Sequence, residues 1–326
     1  MRKYVLNRLF QTLITIFAVS TLLFFLFRIM PGDPTIFLLH SGFRMEDREY
    51  LLKKWGLDKP VLEQYVIYIK NFFTGDLGNS FYYNKPVMEV LGEKIINSVF
   101  LMGLSIVIAL FLGGLFGALL GWMRGGKIEK AGIIVALFLK SMPIFWMGII
   151  LLSVFSFWLR WFPGRGMHSI TFNSKSLWGN YFSLDFLRHL FLPLLCAIFH
   201  YVSDPLMIMR SSILEVYGED FIEMSKAKGL KDWEVLIKHG MRNAVLPLVT
   251  YSSLLVGFAF GGQLLLEVVF SWPGIGREMV IAVAHQDYPI CQASFFLMAM
   301  VVVLMNFFID ISYMYLDPRI VYERKY

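Results

Sequence analysis

The chain has 326 residues, of which 57% are hydrophobic and 17% charged, and its mean hydropathy is +0.61. Soluble domains carry about 25% charged residues, so this composition excludes an ordinary water-soluble fold and defines an integral membrane protein. The net charge of +6 speaks to orientation and anionic headgroups, not to nucleic acid.

Arg2, Lys3 and Arg8 precede an apolar run over 9–27 that no small-residue cleavage site follows. A signal peptide fits by length, yet the run exceeds an ordinary h-region. It reads as the first transmembrane helix, within 1–30. The long polar stretch 31–97 holds PGDP at 31–34, the charged run 44–49, and Leu51, Leu52, Trp55, Leu57, Leu62, Tyr65 and Ile69 in a pattern of one or two short helices around Pro60. It is too small for an independent domain with much core, so it is expected to pack as an external cap on the bundle. Asp33 and Asp76 fit turn caps better than metal ligands.

A second span over about 98–123 carries Gly113, Gly117 and Gly121, a repeated small-xxx-small spacing that admits a close neighbour. The third, about 131–158, contains Lys140 and Pro143. Pro143 is expected to kink the helix and free a carbonyl near Leu139. Lys140 has two readings: it snorkels to the membrane boundary, or it lines a polar translocation path.

After a second external stretch at 160–188, a fourth span over 189–209 includes His200 and Asp204. Facing lipid, Asp204 would cost about 2.5–3.5 kcal/mol, so it must face protein, water or the boundary. It is either a buried polar anchor or a pathway residue. His200, four residues earlier, lies on the same helical face and is expected to pair with it. Cys196 and Cys291 fall in apolar runs and read as small buried hydrophobes.

The stretch 210–243 is too charged to cross a bilayer, with six basic and six acidic residues between Arg210 and Arg242. Leu214, Tyr217, Phe221 and Met224 predict an amphipathic helix over 215–228. Gly229 is placed to end it with positive φ, and a second short helix over 230–238 offers Leu230, Trp233, Val235, Leu236 and Ile237. Two short helices at an angle make a projecting knob suited to a socket on another protein; the alternative is a solvated linker. A fifth span over 244–266, an external loop over 267–289 and a sixth span over 290–315 complete the chain.

The N-terminus, 124–131, 210–243 and the C-terminal tail together hold fifteen basic residues. This bias places both termini and the knob in the cytoplasm. The expected architecture is therefore an all-α integral membrane protein of six transmembrane helices, with an external segment at 31–97 and a core at 98–326 carrying the cytoplasmic loop 210–243. It leaves no room for a cytoplasmic enzyme domain.

The sequence also carries YVLNRLFQTLITIFAVSTLLFFLFRIMPGDP at 4–34, GDLGNS at 75–80, SMPIFWMG at 141–148, LEVYGEDFIEMSKAKGL at 214–230, MRNAVLPLVT at 241–250, FSWPGIG at 270–276, DYP at 287–289 and YLDPRI at 315–320. In order and spacing these resemble the inner-membrane permease subunits of ABC importers of the dipeptide/oligopeptide class, over essentially the whole chain. The family's ATPase-docking loop, a glutamate and two alanines followed by a glycine, maps onto Glu223, Met224, Ser225 and Gly229, with Met224 and Ser225 departing from the alanine pair. The resemblance implies that the helix after Gly229, with Leu230, Trp233, Val235 and Leu236, enters a groove of the ATPase.

It also implies the partners: a homologous second permease, two cytoplasmic ATP-binding subunits that carry ATP and Mg, and an extracytoplasmic solute-binding protein. The chain has no GxxxxGK[ST] sequence, so no phosphate cradle of its own is expected. Import of oligosaccharides or nickel complexes stands beside peptide import within the family. A stand-alone secondary transporter or channel is the reading outside it, but the inverted repeat that would mark one is not evident.

Overall fold

The computed structural model describes residues 2–29, 58–170, 172, 179 and 181–316. PGDP, the charged run 44–49, Lys53, Trp55, Lys175 and the tail beyond 316 lie outside the described residues. Among those described, the only pairing of the β type is an isolated bridge between Asn79 and Pro86.

The helices are α1 (Arg2–Ile29), α2 (Val61–Phe73), α3 (Val87–Trp122), α4 (Lys127–Ser141), α5 (Ile144–Leu151), α6 (Leu184–Tyr201), α7 (Ser203–Val216), α8 (Asp220–Ala227), α9 (Asp232–Glu234), α10 (Arg242–Val269), α11 (Ile275–Ala284) and α12 (Tyr288–Leu316). α5 and α9 continue as wider π-helical turns at Leu152–Trp158 and Val235–Met241. Prolines set several starts: Pro60, Pro86 and Pro143 stand immediately before α2, α3 and α5, where a missing N–H leaves no bond unmade. Ser183 caps α6, its hydroxyl accepting the Phe186 N–H at 3.1 Å.

Four stretches are long and apolar enough to cross a bilayer, Val5–Arg28, Val87–Trp122, Leu184–Tyr201 and Tyr288–Ile311, and the bent pair formed by α4 with α5 and its extension makes five. Of the six expected spans, the remaining one falls on α10, a 28-residue helix.

Three elements differ from the sequence reading. The stretch expected as the third span is not kinked but broken: α4 and the helix after Pro143 meet at 101°, and the Met142 N–H takes the freed Leu139 carbonyl at 3.4 Å. The fourth begins at Leu184 and is divided at Val202, where the backbone stays helical but Pro205 has no N–H to give the Tyr201 carbonyl. The helix expected over 215–228 is interrupted between Val216 and Asp220, where Gly218 sits in the turn.

The chain divides into two compact units, one drawn from Met1–Val5, Val99–Trp272 and Met305–Tyr326 and the other from Leu6–Ser98 and Pro273–Leu304. In the first, α3 packs on α7 through its glycines as the spacing predicted. A Cβ on Gly117 would stand 2.3 Å from the Leu206 carbonyl oxygen, and one on Gly113 2.5 Å from the Pro205 Cβ. The Glu129 carboxylate, itself buried, accepts from Arg210 Nε at 2.8 Å and also from Nη2, tying the start of α4 to α7.

In the second unit, Phe24 of α1 packs against Tyr65 and Tyr68 of α2, and Thr21 hydrogen-bonds the Tyr65 hydroxyl at 2.8 Å. The core there is Leu23, Val87, Leu91, Ile275, Ile290 and Phe296. Fully buried Asp287 accepts from the Ser80 hydroxyl and the N–H groups of Phe81 and Tyr82, fixing the 80–83 turn. Beside it, burial and a hydrogen bond to Glu278 push the Tyr83 phenol above its usual range.

Two helix ends make the same closure with a residue other than glycine in the left-handed region. After α11, Gln286 (φ +54°) donates to Val283 while Asp287 donates to Ala282; after α10, Ser271 (φ +52°) donates to Val268 and Trp272 to Glu267. Glycine is the usual occupant of that position. Gln286 is solvent-exposed, so Gln286→Gly should stabilise by roughly 0.5–1 kcal/mol, read as a higher Tm in detergent. A lower Tm would mean that the Gln286 side chain contributes more than its backbone strain costs.

Candidate functional site

The knob spans 217–241. α8 ends at Gly229, whose φ is +76°. The Leu230 N–H reaches the Ser225 carbonyl at 3.4 Å and the Gly229 N–H the Lys226 carbonyl at 2.9 Å, the double closure that a left-handed residue permits. α9 starts three residues on, its first turn held by the Glu234 carboxylate, which accepts the Lys231 N–H at 3.3 Å. The two-helix corner expected from Gly229 is thus present, with shorter helices.

The side chains of the knob sort into two sets. Ile222, Ser225, Val235 and Leu236 are buried. Leu236 packs with Ala118, Met209, Ile213 and Ala244, with Trp122 and Tyr217 at the edge. Tyr217 is held between the Trp122 ring, 4.7 Å between centroids, and the Lys226 ammonium, 4.7 Å above its own, and burial pushes its phenol upward.

Facing outward are Met224 (59% exposed), Trp233 (57%), Ile237 (54%) and Phe221, with Glu223 among them. Of the positions singled out from sequence, Glu223, Gly229 and Trp233 lie on this open face and Leu230 is half-buried. Val235 and Leu236 instead hold the knob to its own chain. Phe221, Met224 and Ile237 complete the open face; the helical spacing signalled the first two. Ser225 stands buried where an alanine pattern was expected, and its hydroxyl donates to the Phe221 carbonyl at 2.7 Å, which removes the cost of burying it.

The other singled-out residues, Lys140, Pro143, His200 and Asp204, gather at the break of α4–α5 and the junction of α6–α7. Lys140 pairs with Asp204 Oδ1, and the Tyr251 hydroxyl of α10 donates to Oδ2 at 2.8 Å. Both carboxylate oxygens are therefore engaged by partners on other helices, the expected His200–Asp204 pair is not formed, and the buried His200 Nδ1 makes no hydrogen bond among the described residues. The break at Pro143 is further held by the Cys196 thiol donating to the Ile144 carbonyl at 3.4 Å and the Ser203 hydroxyl to Ala136 at 2.8 Å. Cys196 is thus more than a small hydrophobe. Tyr251 and the Glu129–Arg210 pair had no local sequence signal.

Membrane-length helices, a broken helix pair carrying a polar cluster and a compact knob with an open apolar face define a polytopic membrane protein. Residues 113–322 match the family described as binding-protein-dependent transport system inner membrane component, and residues 1–102 match the N-terminal part of such components. The chain belongs to this family. It is 33% identical over 99% of its length to the whole of the oligopeptide transport system permease protein AppB of Bacillus subtilis. It is 34% identical over 99% to the whole of the di/tripeptide transport system permease protein DppB of Pseudomonas aeruginosa, and 32% identical over 99% to the whole of the glutathione transport system permease protein GsiC of Escherichia coli K12. The chain is accordingly the membrane permease component of an ABC transporter and not an enzyme; ATP hydrolysis belongs to partner ATPases.

Proposed function

We propose that this chain is one of two homologous permease subunits of an ATP-driven peptide importer, supplied by an extracytoplasmic solute-binding protein and driven by two cytoplasmic subunits that bind ATP and Mg. The observation that carries the docking half of this reading is the open face of Phe221, Met224, Trp233 and Ile237 beside a glycine-set corner. A solvated linker has no use for such a face, whereas a groove on an ATPase does. The peptide half is supported by relatives whose names specify oligopeptides, di/tripeptides and glutathione. In this reading α10 is the fifth of six spans, the segment 31–97 caps the external side and helps seat the binding protein, and both termini and the knob are cytoplasmic.

The test is reconstitution of the chain with its second permease, ATPases and binding protein in proteoliposomes. ATP-dependent accumulation of trialanine is expected; accumulation of maltotriose or a nickel chelate in its place would substitute one of those cargoes. Sidedness is checked separately. Cysteines placed at Lys127 and Lys231 should react with an impermeant maleimide only from the cytoplasmic side, and cysteines at Lys53 and Lys175 only from outside. Labelling of position 231 from outside in sealed cells would overturn both topology and docking.

A further inference from the structure

The Lys140–Asp204 pair is placed where an ion pair is hardest to keep. Lys140 stands thirteen residues along α4 from Lys127, about 20 Å of helix rise. Asp204 is twelve residues from the end of α7 at Val216, and Tyr251 nine from the start of α10 at Arg242. Those three polar ends form one side of this unit, since Glu129 binds Arg210 and Ala244 packs with Met209 and Ile213. Counted from the nearest charged residue on each helix, Lys130, Arg210 and Arg242, the trio lies roughly 9–15 Å inside that boundary, within a hydrocarbon layer about 30 Å thick. Yet the Lys140 side chain is 55% exposed and that of Asp204 37%.

Charged groups at that depth do not face lipid; they face protein or a water-filled cavity. The backbone beside them points the same way. α4–α5 is broken at Pro143, and irregular backbone at membrane depth is tolerated only where it is buried in protein or lines water. Resting on the reading of the chain as a peptide-import permease, we propose that Lys140, Asp204 and Tyr251 line the aqueous translocation path and form its contact point for the charged ends of a zwitterionic substrate. Lys140 receives the carboxylate and Asp204, positioned by Tyr251, the ammonium. The two charges cancel while the path is empty, so water is their only replacement until a molecule bearing both signs arrives. An uncharged oligosaccharide gains nothing from such a pair.

Two measurements on the complete importer test this. In a background of Cys196→Ser and Cys291→Ala, Lys140→Cys should react with the sulfonated, impermeant reagent 2-sulfonatoethyl methanethiosulfonate in at least one nucleotide state, and trialanine should slow the reaction several-fold. The charge-removing pair Lys140→Met with Asp204→Asn should raise the KM for trialanine about tenfold. The same pair should leave uptake of N-acetyl-trialanine amide, which lacks both terminal charges, within about twofold of the parent. Tyr251→Phe, the mildest change, should raise the trialanine KM by a smaller factor in the same direction. If the thiol of the Lys140→Cys variant is inert to the aqueous reagent in every state, or cross-links to the second permease in all of them, the proposal is overturned and the pair belongs to a protein interface. Equal KM changes for the charged and the capped peptide overturn the substrate contact. These outcomes are separable from failure of the peptide reading itself, which shows as absence of trialanine uptake by the unmodified complex, whereas the labelling arm reads the path whatever the cargo.

Discussion

Trp233→Ala should weaken recruitment of the ATPase by roughly 30-fold, because truncating an aromatic anchor at an interface centre costs about 2 kcal/mol or more. The side chain is more than half exposed on its own chain, so its removal leaves no internal cavity and the isolated subunit should keep its Tm. Gly229→Val should give a similar loss by another route. Nothing lies within 4 Å of a Cβ at that position, so the change adds no clash; it imposes a β-branched residue on a φ of +76°, which such residues strongly disfavour. The corner reopens and α9 is aimed elsewhere.

Val235→Ala is the contrast, since Val235 is fully buried: it should lower Tm more than it lowers ATPase affinity. Subunit retention on affinity resin, ATP hydrolysis and peptide uptake, measured together, separate weak docking from uncoupled turnover. Normal values for Trp233→Ala in all three would remove the proposed mechanical link.

Gly117→Leu should be still more damaging, and at the level of the fold. The added Cβ would lie 2.3 Å from the backbone oxygen of Leu206 and 2.9 Å from the Met209 Cβ, contacts that no rotamer change relieves. α3 and α7 must separate, which disturbs the packing around Met209 and Ile213 and strains the Glu129–Arg210 pair one turn on. Overpacking a tight contact costs about 1–3 kcal/mol, and more where backbone is the obstacle. The expected outcome is a marked fall in folded yield and Tm. Gly103 on the same helix has nothing within 4 Å of a Cβ, and Gly103→Ala should be neutral or slightly stabilising. Equal tolerance at the two positions would show that α3 and α7 are not in backbone contact in the membrane.

The sequence made the class of the protein legible because membrane solvation leaves a coarse, additive signature: apolar runs, basic flanks, and glycines spaced for close helix approach. Gly229 was legible for a similar reason, since a single residue type fits its dihedral. The breaks were harder. A proline in an apolar run kinks a helix in one setting and ends it in another, and what decides is the partners available to the freed backbone. Here the freed Leu139 carbonyl is taken by Met142, and Cys196 and Ser203, more than fifty residues downstream of Pro143, hold the backbone on either side of the break. The His200–Asp204 pairing is displaced by Lys140 and Tyr251, which come to Asp204 from other helices and leave no mark in the spacing along this one. Val235 and Leu236 looked like part of the docking face because a regular helix was assumed; the π-helical register at Val235–Met241 places both inward and leaves Trp233 and Ile237 out.

The broken third span also constrains how the protein is made. α4 and the run from Ile144 to Trp158 are about 22 Å each as helix, so neither half crosses the hydrocarbon layer alone. Neither can be threaded into lipid as a conventional segment. The groups that fasten the break sit at 196–203 and have not yet emerged from the ribosome when the two halves reach the translocon. The half-made hairpin must therefore wait at the channel, sheltered from lipid, until α6 and the start of α7 arrive. A ribosome stalled before residue 184 would hold a nascent chain whose third span is still extractable from the bilayer, and lengthening the chain until residues 196–203 have left the ribosome would lock it in.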